Sequence, residues 1–302
     1  MPYVRSLGAG TDRPRGLAVG IGGAGCNTLR AIPPTAGLDL LAVNDLPHPS
    51  MAGVRRRLFL DKGGLRGLAA MDEYAVKDFV TTAEQALAVE LADADLVVPL
   101  AGLGGETGSW GAGLCARVAA LKGATTLAVV TTPFSAEGPN RRAVAAESLK
   151  VLRTHAHGVL TLPNDPLLRV APRLPILRAF EVLSRLAVQP VLDLLRVLTT
   201  DDLSALKSVL RDAGDWQLGI GEGLKDRPEM TAVDAAFRSP WIGRPIESAK
   251  QVILLIAASE PDERTQREIL HEVDLRAPRA SVMWGAFAEP GDVLRVDALV
   301  GF

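Results

Sequence analysis

The stretch Ala101–Ser109, AGLGGETGS, has four glycines in nine residues and lies between an apolar run and a helical pattern. Glycine lets the backbone approach a ligand closely, and the amide groups at the start of a helix attract anions. Such a turn is typical of a site that wraps phosphate. Glu106 is unexpected within it, because a carboxylate beside a phosphate is repelled by about 1 kcal/mol even in water.

A second glycine-rich turn, GIGGAG at residues 20–25, fits the pattern G-x-G-x-x-G. It also follows a predicted strand and opens a predicted helix, and Asp45 comes about 20 residues later. Taken alone, it indicates either a Rossmann dinucleotide fold that binds NAD or a tight turn that binds nothing. Two such turns on one sheet favour a nucleoside triphosphate, which has more anionic oxygens to hold.

Composition restricts the class of protein. The chain has 302 residues, 48% hydrophobic and 23% charged, which is typical of a soluble protein with two modest domains. The net charge of −2 gives no general attraction to nucleic acid. No signal peptide is visible, the longest clean apolar run is too short to span a bilayer, and two distant cysteines form no disulfide framework, so we expect a cytoplasmic protein. The four histidines show no metal-like grouping and are expected on the surface or in loops.

The order of predicted elements indicates an α/β fold. Strands alternate with helices through residues 16–174, which predicts a Rossmann-like domain with a parallel sheet. The segment 1–15 is expected to be a flexible arm. A long central helix is predicted over 175–200; it is apolar nearly all round, which predicts burial, and Pro190 should kink or interrupt it.

Residues 201–302 are predicted to form a smaller C-terminal α+β domain. Its helices are expected near 202–212, 230–238 and 262–273, with strands near 216–220 and 252–258. The pattern SVMWGAFA–EPGD–VLRVDALV predicts a closing β-hairpin, with Pro290 and Gly291 in the turn.

The chain resembles the tubulin/FtsZ superfamily, and within it the FtsZ branch, from about Gly16 to Phe302. GGETGSW at 104–110 resembles the GGGTG[ST]G signature, and the first turn with Asn27 resembles the opening G-x-G-G-x-G-x-N motif. LAVN, AVVTTPFSAEGPNRRA, LTLPNDPLL and AAFRSPWI are similar to further FtsZ stretches. Members often continue with a partner-docking tail, which we expect this divergent paralogue to lack.

The resemblance implies a GTPase fold that binds GTP or GDP, with Mg²⁺ as a further candidate ligand, and that assembles head to tail into filaments. It assigns phosphate binding to the backbone of the two turns, ribose binding to Glu137, phosphate contact to Arg141, sugar contact to Asn164 and base stacking to Phe180. The full candidate set is Gly20, Gly22, Gly23, Ala24, Gly25, Asn27, Asn44, Gly104, Gly105, Glu106, Thr107, Gly108, Ser109, Glu137, Arg141, Asn164, Phe180 and Ser184.

Several positions depart from the family pattern. Ser184 and Arg185 stand where the family reads guanine with an Asn-Asp pair, so guanine over adenine is left open. The loop expected near the terminal phosphate reads GLAAMDEY at 67–74 instead of being glycine-rich. The loop that supplies two catalytic carboxylates to the next subunit reads LTTDDLSALKSVL, and only Asp202 or, in the shifted register, Asp201 remains.

The leading hypothesis is therefore an FtsZ-like filament protein that binds a guanine nucleotide and hydrolyses it slowly or not at all. It would act in cell division-related or membrane remodelling through a membrane-anchoring protein partner. The alternative is a nucleotide-independent structural filament whose pocket Glu106 helps to close. An NAD-linked enzyme is the third hypothesis, and the second glycine turn counts against it.

Overall fold

The computed structural model describes residues 3–8, 10–60 and 73–302, which form eleven strands and nine α-helices. The strands are β1 Val4–Ser6, β2 Gly16–Ile21, β3 Leu38–Asn44, β4 Arg56–Phe59, β5 Leu96–Gly102, β6 Thr125–Thr132, β7 Gly158–Pro163, β8 Asp215–Glu222, β9 Gln251–Ala258, β10 Ser281–Ala288 and β11 Arg295–Gly301. The helices are α1 Gly22–Leu29, α2 Glu73–Glu90, α3 Glu106–Leu121, α4 Pro139–His155, α5 Asp165–Val170, α6 Ile176–Val197, α7 Leu203–Ala213, α8 Pro228–Phe237 and α9 Glu263–Arg276.

The chain divides into two compact units. The N-terminal unit comprises Pro14–Val159 and Pro163–Val188, and the C-terminal unit comprises Met1–Arg13, Leu160–Leu162 and Gln189–Phe302. This α/β architecture with a mostly parallel sheet confirms the fold class predicted from the alternation of strands and helices.

In the N-terminal unit the strand order β6-β5-β2-β3-β4 is parallel throughout. Strand β2 is buried at every position, because helices cover both faces of such a sheet. Its last residue, Ile21, pairs with Val43 of β3 and Ala101 of β5, so the three carboxyl ends lie at one edge. Both glycine turns and Asn44 therefore begin from that edge.

In the C-terminal unit the strand order is β1-β10-β9-β11-β8. Strand β9 is buried throughout; it pairs parallel with β10 and antiparallel with β11. The predicted hairpin of β10 and β11 is therefore wrong, because β9 lies between these two strands. The chain does bend at Pro290 and Gly291, yet both strands pair with β9, which is buried throughout and apolar from Val252 to Ala258.

Two further elements differ from the sequence-based expectations. Helix α6 runs without interruption through Pro190, whose buried ring offsets part of the missing hydrogen bond. The helix is also not buried all round, because Ile176 and Leu177 are 53% and 75% exposed. The predicted N-terminal arm contains strand β1, which pairs parallel with β10 from Val4 to Ser6.

Candidate functional site

The first glycine turn is a tight passage from β2 into α1. Gly22 has φ of +69°, a left-handed conformation that glycine adopts without strain. A Cβ atom on Gly25 would lie 2.0 Å from the carbonyl oxygen of Leu100, so only glycine lets α1 pack this closely on β5. Below the turn, burial raises the pKa of the Cys26 thiol to about 11, and its sulfur lies 3.2 Å from the Gly20 carbonyl oxygen. This thiol is a structural group rather than a reactive one.

The second glycine turn leads from β5 into α3. Gly104 has φ of +93°, and its amide donates to Ser109 Oγ at 2.9 Å. Ser109 is buried, so its hydroxyl supports the turn from inside instead of facing a ligand. A Cβ atom on Gly105 would meet nothing within 4 Å, which leaves open space in front of the helix.

The two turns are in contact. A Cβ atom on Gly22 would lie 3.0 Å from the Gly108 amide nitrogen and 3.4 Å from Thr107 Cβ. Helix α1 begins after Ile21 and α3 after Gly105, and neither N-terminus has a side-chain cap. Two sets of helix-terminal amides with partial positive charge therefore lie side by side, which suits one polyanion.

Glu106 lies in the first turn of α3 and is exposed. It does not separate the two glycine turns, because Gly22 meets Gly108 and Thr107 directly. A carboxylate here interacts favourably with the helix dipole, but its negative charge repels an incoming phosphate. Because Glu106 is exposed, solvent and dissolved salt weaken both its interaction with the dipole and its repulsion of a phosphate.

Glu137 and Arg141 form a pair on the adjacent elements. Arg141 Nη1 donates to Glu137 Oε2 at 2.6 Å, and the Phe134 amide donates to Glu137 Oε1 at 2.8 Å. Arg141 also belongs to the site through its backbone, because its carbonyl oxygen lies 2.9 Å from the Cβ position of Gly104. A ligand that uses either side chain must share or replace this ion pair.

Asn164 carries the clearest sign of a missing donor. Its side chain is 4% exposed, and its Oδ1 has no hydrogen-bond partner among the residues that the structure describes. Its backbone amide donates to Thr132 at the end of β6, so the residue belongs to the same edge of the sheet. Buried acceptors without a donor are rare, and a sugar hydroxyl would satisfy this one.

A loop beside Asn164 is fixed by a second set of hydrogen bonds. The Ser135 amide donates to Asp165 Oδ1 at 2.8 Å, and the Ser135 hydroxyl donates to Oδ2 of the same carboxylate. These two bonds hold the pKa of Asp165 below its ordinary value. The loop that carries Glu137 is thereby tied to the start of α5.

Phe180 and Ser184 lie on α6. Phe180 is 45% exposed and stacks edge to face on Phe134, with ring centroids 5.8 Å apart. An exposed aromatic ring suits stacking on a base. Ser184 Oγ lies 3.4 Å from Thr28 Oγ1, which in turn donates to the Ala24 carbonyl of the first turn.

The remaining candidate binding residues lie at the end of β3, on α1 and in the loop at 67–74. Asn44 is buried at the end of β3, whereas Ala24 and Asn27 are exposed on α1. The candidate terminal-phosphate loop at 67–74 falls mostly outside the described residues, which resume at 73. All the candidate binding residues lie in the N-terminal unit.

The candidate catalytic loop, Thr199–Asp202, lies in the C-terminal unit. Asp202 is 1% exposed, and its Oδ2 accepts from the amides of Thr199 and Gly8 and from the Thr199 hydroxyl. Its Oδ1 accepts from Arg5 at 3.3 Å. Burial alone would raise the pKa of Asp202, but these hydrogen bonds lower it below the ordinary value. Asp201, in contrast, is exposed.

His157 differs from the expectation that the histidines lie on the surface or in loops, whereas His48 agrees with it. His157 is buried, and its Nδ1 accepts from the Thr126 amide at 3.0 Å. His48 is exposed but lies beside Gly23 of the first turn. The described residues contain no group of three or more side chains suited to hold a metal ion. Among the same residues, no helix is long and apolar enough to cross a membrane.

Comparisons with known proteins agree with this geometry. Residues 37–172 match the family model described as Tubulin/FtsZ family, GTPase domain. The cell division protein FtsZ 1 of Pyrococcus abyssi is 33% identical over 288 residues, which cover 92% of this chain and 77% of that protein. The chain belongs to the tubulin/FtsZ family.

Solved structures of family members extend the match. FtsZ of M. jannaschii (the W319Y mutant) superposes with a TM-score of 0.82 at 27% identity, over 96% of this chain and 91% of that one. CetZ2 from Haloferax volcanii, solved as a GTPγS-bound protofilament, gives 0.74 at 20% identity, over 95% and 92%. The second likeness concerns the fold alone.

Proposed function

We propose that this chain binds a guanine nucleotide at the edge of the sheet in its N-terminal unit. The observation that carries the proposal is the contact between Gly22 and Gly108, which brings two uncapped helix N-termini together. Oδ1 of Asn164 is buried without a hydrogen-bond donor, which supports the binding of a sugar beside these termini. The exposed ring of Phe180 supports the binding of a base. Ser184 and Arg185 leave guanine over adenine to be decided by measurement.

Equilibrium binding tests this step directly. Labelled GTP and GDP are titrated with the purified chain, and unlabelled ATP, NAD and guanosine are used as competitors. We expect GTP and GDP to bind at micromolar concentration and NAD not to compete. Binding of labelled NAD by a chain that binds neither GTP nor GDP would instead favour a dinucleotide enzyme.

We further propose that the chain assembles head to tail into filaments in the cytoplasm and hydrolyses GTP slowly or not at all. Ala205 and Ser204 stand where a second loop carboxylate is expected, and Asp202 has both oxygens engaged within its own subunit. Asp201 is then the loop acid that can reach another molecule. A carboxylate pair that positions water loses orders of magnitude in rate when one member is lost.

Electron microscopy with GTP, GDP and no nucleotide tests assembly, and phosphate release under the same conditions tests hydrolysis. We expect filaments that require nucleotide, with phosphate released far more slowly than filaments form. Such filaments would remodel membranes through a membrane-anchoring protein partner, which a pull-down with purified candidates can identify.

A nucleotide-independent filament is the second candidate function. It is favoured by the charge of Glu106 at the start of α3 and by the closed ion pair of Glu137 with Arg141. Filaments that form equally well without nucleotide, from protein shown to contain none, would support it over the first candidate.

A further inference from the structure

The N-terminal segment, residues 3–8 and 10–13, lies along the loop Thr199–Asp202 of the same unit. The Gly8 amide donates to Asp202 Oδ2 at 3.0 Å. Arg5 Nη2 donates to Oδ1 of the same carboxylate at 3.3 Å. Both oxygens of this acid are therefore engaged by groups of the N-terminal segment.

The rest of the loop also contacts the N-terminal segment. A Cβ atom on Gly10 would lie 2.8 Å from Asp201 Oδ2 and 3.3 Å from Thr199 Cβ. Two further hydrogen bonds join the segment to the loop backbone, from the Thr200 amide to the Asp12 carbonyl oxygen at 3.0 Å and from Arg13 Nη1 to the Leu198 carbonyl oxygen at 2.9 Å. Every residue from 198 to 202 thus has a contact with the segment.

These contacts are mainly polar. Each described residue of the N-terminal segment is exposed or half-buried, whereas Thr199 and Asp202 are buried. Strand β1, which belongs to the segment, is three residues long and pairs with β10 at an edge of the sheet. A segment with few buried apolar contacts opens locally at a low free-energy cost. The N-terminal segment can therefore leave the loop while the rest of the C-terminal unit stays folded.

We propose that the N-terminal segment is autoinhibitory: it covers the loop Thr199–Asp202 until a second copy of this chain displaces it. The inference rests on the proposed head-to-tail assembly and adds a control on the loop that this assembly would use. After release, Oδ1 of Asp202 and the Thr200 amide are free to bond another molecule. The competing explanation is that the segment is a permanent part of the C-terminal unit and only stabilises it.

Gly8→Ala loosens the segment and leaves the side chains of the loop unchanged. Gly8 has φ of +87°, which alanine adopts poorly, and its Cβ atom would lie 3.1 Å from the Val197 carbonyl oxygen. Gly123→Ala is the matched control in the other unit, because Gly123 has φ of +89° and its Cβ atom would meet nothing within 4 Å. Thermal unfolding checks that both variants are folded.

Sedimentation in the presence of GTP measures the protein concentration above which filaments form. We expect this critical concentration to fall about tenfold in Gly8→Ala, because a chain that must first release the segment assembles in proportion to its released fraction. The critical concentration of Gly123→Ala should equal that of the wild type. Filaments from Gly8→Ala under conditions where the wild type forms none would support the inference equally.

A reversible lock tests the opposite direction. Gly10→Cys combined with Thr199→Cys places two Cβ atoms 3.3 Å apart, close to the separation of about 3.5–4.5 Å in a disulfide. Cys26 and Cys115 are both buried, so the introduced pair is the accessible one. We expect the double variant to form no filaments after oxidation with glutathione disulfide and to regain them with dithiothreitol. The lost Thr199 hydroxyl is common to both forms.

Equal critical concentrations of wild type and Gly8→Ala would overturn the inference and leave the proposed assembly intact. An equal change in Gly8→Ala and Gly123→Ala would also overturn it, because the effect would come from backbone strain alone. So would filaments that form as readily from the disulfide-linked double variant as from its reduced form. Absence of filaments from the wild type, both glycine variants and the reduced double variant would overturn the proposed assembly together with the inference, whereas binding of labelled GTP tests the nucleotide site separately.

Discussion

The two glycine turns and the loop Thr199–Asp202 match motifs of one family, yet they differ in what their polar groups contact. The helix-terminal amides at the turns have no side-chain cap, whereas both oxygens of Asp202 accept hydrogen bonds from groups of its own subunit. The first region has kept groups available for a ligand. The loop Thr199–Asp202 also has an acidic residue, Asp202, but its carboxylate accepts hydrogen bonds from nearby backbone amides of the same chain. A motif therefore indicates binding or catalysis only where its polar atoms are still free to act.

The largest expected effect concerns the close packing of the first turn. Gly25→Ala places a Cβ atom 2.0 Å from the Leu100 carbonyl oxygen, so the chain should lose at least about 3 kcal/mol of unfolding free energy. Gly105→Ala is the matched control, because its Cβ atom meets nothing within 4 Å, and it should cost less than about 1 kcal/mol. Urea unfolding of both variants measures the difference. Equal midpoints for the two would contradict the close contact of α1 with β5.

The next effect tests whether Asp202 is a structural group. Asp202→Ala removes a buried acceptor of four donors, and we expect it to lower the unfolding free energy by about 2 kcal/mol. Asp201→Ala, at the exposed neighbouring position, should stay within about 0.5 kcal/mol of wild type. Urea unfolding at neutral pH measures both.

The pH dependence of that difference has a defined sign. The folded-state pKa of Asp202 is lowered, so its stabilising contribution is present at neutral pH and is lost as pH falls through the folded pKa. The two unfolding curves, wild type and Asp202→Ala, should therefore converge in acid. A constant gap down to pH 2 would show that the carboxylate charge is irrelevant.

A third prediction contrasts Asp202 with another buried acid of the same unit. Burial raises the pKa of Asp297 to about 8, although Arg295 donates to its Oδ2 at 2.6 Å. Asp193 accepts from the same Arg295 nitrogen and is also fully buried, so repulsion between the two carboxylates adds to burial in favouring a proton on Asp297. Arg295 Nη2 also donates to Glu289.

Because the folded chain binds this proton and the unfolded chain releases it above about pH 4, stability should fall as pH rises towards about 8. The slope is at most about 1.4 kcal/mol per pH unit. Asp297→Asn should remove this part of the slope in urea unfolding measured at several pH values. An unchanged slope in the variant would assign the proton elsewhere.

The smallest effect concerns the exposed carboxylate at the second turn. Glu106→Gln removes a negative charge beside the proposed phosphate site and should tighten GTP binding by about fivefold or less. Glu147→Gln, an exposed acid on α4, is the control for the general loss of one charge. Weaker binding in Glu106→Gln alone would show that Glu106 acts with a bound cation instead of opposing the phosphate.

Much of the fold follows from local sequence. The alternation of apolar strands with helices, and glycines at the ends of β2 and β5, correctly predicted a parallel sheet with both turns at one edge. Those features depend on short-range backbone geometry, which sequence patterns report well. The expectation that both turns hold one ligand is of the same kind, because neighbouring parallel strands bring their carboxyl ends together, whereas the contact between Gly22 and Gly108 comes from the structure.

The errors share a different origin, since each depends on a distant partner. The pattern around Pro290 and Gly291 predicted that β10 and β11 pair as a hairpin, but each of them pairs with β9 instead. The burial of Asp202 was also not evident from the loop motif, because its hydrogen-bond donors include Gly8 and Arg5, almost 200 residues earlier in the chain; its catalytic role stays a prediction. The position of His48 against Gly23 likewise depends on how β3 and α1 pack, which spacing alone does not reveal.

The pairing of β1 with β10 has a consequence for synthesis in the cell. Val4 is synthesised 278 positions before its partner Val282. At about 5–20 residues per second, a ribosome needs roughly 15–55 s to cover that interval. During this time the edge strand β1 has no strand to pair with, and the amide of Gly8 can reach the Asp202 carboxylate only after 194 further residues are synthesised. The C-terminal unit is thus assembled from segments whose syntheses are separated by tens of seconds.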